Sequence, residues 1–141
     1  MTTVLVASDT ASVRTQITSV VRRPGRDVRE VHSGPALLAA VAKELPNLVV
    51  VDMQMGNMGG MAVCLELRLE ESYGNLRHTP VLMLLDRRPD VFLARRSGAE
   101  GWLVKPLDPI RIRRAVVALL DGKTFEDPSY LPLTSAAALG G

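Results

Sequence analysis

The sequence predicts an α/β protein built round a parallel sheet, and three observations carry that prediction. Four short runs, "TVLVA" (3–7), "LVVV" (48–51), "VLMLL" (81–85) and "GWLV" (101–104), are apolar nearly throughout, as strands covered on both faces must be. Segments with apolar residues at helical spacing separate them, the alternation that βαβ units produce. The runs then stop abruptly at polar residues: Ser8-Asp9, Asp52, Asp86 and Lys105-Pro106.

The elements follow in order. After the first strand (3–7), Val13, Ile17, Val20 and Val21 mark one face of a helix that "RPG" (23–25) stops. "DVREV" (27–31) alternates and predicts a second, more exposed strand. "GPALLAAVAKEL" (34–45) predicts a helix with Pro35 in its first turn. The third strand (48–51) opens into the uncharged loop "MQMGNMGG" (53–60), and a third helix runs from about 61 to 71. A polar connection (72–80) leads to the fourth strand (81–85). A short helix over 89–99 ends at Gly98, the fifth strand is 101–104, and a fifth helix begins after Asp108 with Pro109 at its first position. It ends near Asp121-Gly122. Residues 123–141 have two prolines and no periodicity, which predicts a domain over 1–122 and a flexible or partner-docked tail over 123–141.

Composition bounds the function. A chain of 141 residues, 47% hydrophobic and 23% charged, suits one soluble domain with a real core. Nothing resembles a membrane span or a signal peptide, so a cytoplasmic, non-inserted protein is expected. One Cys excludes an internal disulfide, and one Cys with two His provides no zinc cluster. A net charge of +2 with 4% aromatics argues against nucleic acid as a partner. Cys64 reads as a core thiol, and His32 and His78 as surface loop residues. Met53, Met55, Met58 and Met61 read as core gap-fillers or, alternatively, as an adaptable contact surface.

In a parallel sheet the strand ends lie along one edge, where open α/β proteins gather their ligands. Asp9, Asp52 and Lys105 would converge there. The two acids have ordinary readings as well, Asp9 as a helix cap and Asp52 as a loop-starting turn residue. Two carboxylates and a backbone carbonyl make a hard oxygen site suited to Mg²⁺. A carboxylate beside such an ion can act as a nucleophile toward a phosphoryl group, and a lysine can pair with the phosphoryl oxygens.

Asp9, Asp52, the loop "DMQMGNMGG" (52–60) with Met55 and Gly60, "SGAEGW" (97–102) and "VKP" (104–106), in this order and spacing, resemble a response-regulator receiver domain over roughly residues 3–121. The resemblance implies a flavodoxin-like fold: a doubly wound five-stranded parallel sheet, order 2-1-3-4-5, with five helices. It implies that Asp52 is the phospho-acceptor, that Asp9, Asp52 and the backbone carbonyl of Gln54 hold Mg²⁺, that Lys105 pairs with phosphate, and that Trp102 is the switch aromatic. A histidine kinase is the implied phosphate source.

The departures are equally specific. Receivers usually carry two acids after the first strand, and the first here is Ser8. Gly56 replaces a common proline in the loop. Leu85 replaces the Thr or Ser whose hydroxyl reaches the phosphoryl group and pulls on the switch. A missing charge-assisted hydrogen bond is worth about 1.5–3 kcal/mol, comparable to the gap between the states of a two-state switch. The expectation is therefore an atypical single-domain receiver, or pseudo-receiver, that acts by protein contact. The alternatives are a conventional phospho-accepting receiver and a docking subunit of a larger assembly that ignores phosphorylation. An enzyme is not expected: a dehalogenase-type phosphatase would place an acid at Gln54, and no phosphate-cradling or dinucleotide glycine motif occurs. Arg95, Arg96, Arg111 and Arg114 would offer a basic face to an acidic protein surface.

Overall fold

Residues 1–128 are described in this computed structural model. Six strands, β1 (Thr2–Ala7), β2 (Arg26–Val31), β3 (Leu48–Asp52), β4 (Val81–Leu85), β5 (Gly101–Val104) and β6 (Phe125–Glu126), form one sheet in the order β2-β1-β3-β4-β5-β6. Every neighbouring pair is parallel. Five helices, α1 (Ala11–Val21), α2 (Gly34–Lys43), α3 (Gly60–Ser72), α4 (Val91–Ser97) and α5 (Pro109–Leu120), connect the strands.

Successive side chains of a strand point to opposite faces, and the core divides accordingly. Val4, Val6, Leu48, Val50, Leu82, Leu84 and Leu103 pack with α1 and α5 residues such as Ile17 and Ile112. Leu5, Ala7, Val49, Val51, Met83, Leu85, Trp102 and Val104 pack with α2, α3 and α4 residues such as Leu37, Cys64 and Ala94. This is the doubly wound arrangement, and it explains why the central strands carry no polar alternation. β2, at the edge, has exposed and half-buried positions. Met53 and Met55 are buried in the second layer and Met58 and Met61 pack against it, the gap-filling role.

The helix ends follow local chemistry. Ser33 Oγ accepts the Ala36 N–H at 3.2 Å, and Asp108 Oδ1 accepts the Arg111 N–H at 2.9 Å, each ahead of a proline in the first turn. The connection 72–80 is held by Arg68 and His78, which both pair with Glu71 and Glu100. His32 and His78 are exposed, as expected.

Two expectations need correction. The helix over 89–99 is shorter: a 3-10 turn, Arg88–Asp90, precedes α4, which stops at Ser97 because Gly98 takes φ 86 and reverses the chain. The sheet has six strands, and residues 123–128 are part of the fold. Phe125 and Glu126 pair with Gly101 and Trp102, and Asp127 is fully buried, its Oδ2 accepting the Val104 N–H at 2.7 Å. A carboxylate thus finishes the edge of β5 where a further strand residue would. The remainder of the tail expected to be flexible or partner-docked, residues 129–141, lies outside the described residues.

α3 starts hard against the end of β3. A Cβ on Gly60 would lie 2.7 Å from the Asp52 carbonyl oxygen, a backbone atom that cannot swing away. Gly60→Ala should therefore lower stability by about 1–3 kcal/mol, measured as a drop in the urea midpoint at unchanged slope.

Candidate functional site

The two-residue period of the strands builds the site. Val6, Val50, Leu84 and Leu103 face α1 and α5. Two residues beyond each stand Ser8, Asp52, Asp86 and Lys105, and the paired register of β1, β3, β4 and β5 brings all four to one edge. There the core ends and a cleft opens, lined by Asp9, Asp52, Gln54, Gly56, Asp86 and Lys105.

Asp52 is 1% exposed. A carboxylate so far out of water requires partners, and both oxygens have them. Ser8 donates its hydroxyl to Oδ2 at 2.8 Å, and the Lys105 ammonium lies 2.8 Å from Oδ1. The Gln54 N–H approaches Oδ1 at 3.4 Å. Ser8 is itself fixed, since its Oγ accepts the Thr10 N–H at 3.1 Å and its carbonyl accepts from Arg14 at 2.7 Å.

Lys105 is shared. Its Nζ also lies 3.0 Å from Asp86 Oδ1. Burial alone would lower the ammonium pKa, but the hydrogen bonds to Asp52 and Asp86 outweigh it and raise the group above its ordinary value. A raised lysine contributes stability that is complete below its unfolded value, about 10.4, and is lost only as pH climbs through the folded value. Lys105 is thus a fixed positive charge across the neutral range.

Asp9 is exposed at the cleft mouth and accepts the Gly56 N–H at 3.0 Å on Oδ2. That bond ties the glycine-loosened loop to the start of α1. Asp9 does not cap α1; the cap position is Thr10, which forms no side-chain cap bond.

The expected residues divide clearly. Asp9, Asp52, Gln54 and Lys105 come together. Leu85 is fully buried, in the same layer as Trp102, and offers no hydroxyl. Trp102 is 4% exposed, its Nε1 buried without a hydrogen-bond partner among the described residues, and the Arg95 guanidinium lies 5.3 Å from its ring centroid. The basic face is smaller than expected. Arg96 and Arg114 are exposed, whereas Arg95 pairs with Glu126 at 3.2 Å. Arg111 is turned inward to Asp108, Asp127 and the carbonyls of Val104 and Pro106. It staples the turn after β5 to β6. Sequence reading missed Asp86 as a second Lys105 partner and Ser8 as a donor to Asp52; the two-residue register was the available signal for both.

A family model described as the response regulator receiver domain matches residues 4–117. The chain belongs to that family. It is 33% identical to the DNA-binding response regulator MtrA of Mycobacterium tuberculosis over 132 residues, 92% of this chain and 55% of that protein. It is 34% identical to the response regulator PleD of Caulobacter vibrioides over 103 residues, 72% of this chain and 22% of that protein. This chain therefore spans about half the length of MtrA and less of PleD. Among solved structures, the chemotaxis response regulator CheY4 of Vibrio cholerae aligns with a TM-score of 0.74 and 26% identity, over 84% of this chain and 98% of that one. The receiver domain of the response regulator NarL of M. tuberculosis aligns with a TM-score of 0.74 and 28% identity, over 86% and 98%. This is a receiver domain of two-component signalling, with the flavodoxin-like fold expected of it. No helix among the described residues is long and apolar enough to cross a membrane.

Receiver domains generally bind Mg²⁺ at their acidic site. Among the described residues no three His, Cys, Asp or Glu side chains are arranged to hold a metal. The oxygen donors among the residues that line this receiver's cleft, Asp9, Asp52 and Gln54, still fit a hard cation that keeps several waters. Ser8 adds no carboxylate to this set and instead donates a hydrogen bond to Asp52.

Removing that donor should be costly. Ser8→Ala would strip Oδ2 of a buried carboxylate and should destabilise the domain by about 1.5–3 kcal/mol, read by urea denaturation. In an Asp52→Asn background the same substitution should cost much less.

Proposed function

We propose that this receiver accepts a phosphoryl group on Asp52 and works chiefly by protein contact, with the acceptor site weakly coupled to the face that carries Trp102. One observation carries the acceptor half. Asp52 ends the central strand in a cleft it shares with Asp9, with Lys105 2.8 Å from its Oδ1. In the transfer a carboxylate oxygen attacks phosphorus. A new P–O bond forms, the bond to the donor breaks, and the departing group leaves with its electron pair and takes up a proton. The donor in the cell would be a phosphohistidine of a histidine kinase. Lys105 would follow the charge from Asp52 Oδ1 to the phosphoryl oxygens. Ser8 would keep Asp52 in place, and Asp9, Asp52 and the backbone carbonyl of Gln54 would hold Mg²⁺. When bound, Mg²⁺ supplies positive charge that offsets the approach of an anion to a carboxylate.

Weak coupling follows from Leu85. Its aliphatic side chain offers no hydrogen bond to a phosphoryl group, and it packs with Trp102 in an apolar layer. A phosphoryl group shifts a switch only by as much as it favours one state over the other, and the missing bond removes about 1.5–3 kcal/mol of that difference. The exposed residues of α4 and α5, Phe92 and Ile110 with Arg96 and Arg114, supply an apolar centre and basic charge suited to an acidic protein surface. Arg111 is not proposed for that surface, because its guanidinium is engaged inside the molecule.

The conventional relay remains the second reading, favoured by the joint presence of Asp9, Asp52 and Lys105 in one cleft. Labelling tests what the two share. With a small acyl-phosphate donor and Mg²⁺, the intact mass should rise by one phosphoryl group, the modified peptide should contain Asp52, and Asp52→Asn should take up none. Labelling elsewhere, or equal labelling of Asp52→Asn, would remove Asp52 from the acceptor role.

A further inference from the structure

We propose that residues 125–127 are a strap that holds the Trp102 indole inward, so that release of this C-terminal segment, independently of chemistry at Asp52, turns the indole toward solvent.

The indole is held in a position that does not satisfy it. Trp102 is buried, and its Nε1 has no hydrogen-bond partner among the described residues. A buried N–H without an acceptor costs free energy that it recovers on reaching water. Leu85, in the same layer, brings no oxygen to accept it. Apolar packing of the ring with Leu85, Val91, Ala94 and Val104 offsets that cost, and the strap adds to what keeps the ring in.

The strap is placed to do so. Glu126 is the register partner of Trp102 across the β5–β6 ladder. Its Oε1 lies 3.2 Å from Arg95 Nη2, and the Arg95 guanidinium stands over the indole, 5.3 Å from the ring centroid. Glu126 thus helps to position the cation that covers the ring. Asp127 anchors the strap, accepting the Val104 N–H and pairing with Arg111. Arg111 in turn bonds the carbonyls of Val104 and Pro106, on either side of Lys105. The C-terminal segment therefore grips both the Trp102 layer and the turn that carries Lys105.

Apart from its buried Asp127 anchor the strap is slight. β6 is two residues long at the edge of the sheet, Phe125 is half-buried and Glu126 is exposed. Once the Asp127 contacts are lost, so short an edge element opens below the cost of global unfolding.

The test uses the full chain and its single tryptophan. Acrylamide quenching should be weak in the parent and in Asp52→Asn. It should rise several-fold in Glu126→Ala, which keeps Arg95 and removes one of its partners, with the far-UV spectrum unchanged. Asp127→Ala is followed by amide exchange at Val104, which reports release of the anchor directly. Fast exchange at Val104 with an indole as shielded as in the parent would overturn the proposal, as would parent-like quenching in Glu126→Ala. Should Asp127→Ala fail to fold, Glu126→Ala decides alone.

Discussion

A carboxylate cannot be taken out of water without partners, and the Asp52 side chain is almost completely enclosed at the end of the central strand. Much of the cleft's geometry follows from that. Compensation comes from two directions, the Ser8 hydroxyl on β1's side and the Lys105 ammonium on β5's side. Each needs the flanking strands in register, so the sheet and the charge cluster specify each other. A slip of one residue in any strand would turn Ser8, Asp52 or Lys105 toward the opposite helix layer. The same arrangement leaves Lys105 divided between Asp52 and Asp86, so an arriving anion must compete with a second carboxylate for that cation.

Much of this was legible in the residues. The apolar runs marked β1, β3, β4 and β5 because strands covered on both faces lack polar alternation, and Pro35, Gly98 and Pro109 bounded helices for reasons of backbone geometry. The convergence of Asp9, Asp52 and Lys105 followed from strand ends sharing an edge. β6 was not legible. Two residues cannot display a period, and what fixes them is tertiary: a buried Asp127 bonded to the Val104 N–H and to Arg111. Arg111 was misread for the same reason, since on a helix rich in arginines nothing local distinguishes the one that turns inward. Ser8 was legible as a missing acid but not as the hydroxyl that donates to Asp52, a contact 44 positions away in sequence.

The proposed separation of acceptor and output has a physical basis in the two layers. Asp52, Asp86 and Lys105 continue the rows that face α1 and α5, whereas Leu85 and Trp102 belong to the layer under α4. In the proposed account, a phosphoryl group at Asp52 gains Lys105 but finds only a hydrocarbon side chain at position 85. The Trp102 layer is tied to Arg95 and, through it, to Glu126.

Backbone and indole N–H resonances recorded in Mg²⁺, with and without beryllofluoride as a phosphoryl mimic, test that separation most directly. The account predicts marked shifts for amides in the loop 52–60 and a Trp102 indole N–H that stays in place. An indole that moves together with the loop, or a loop that does not respond at all, would contradict it.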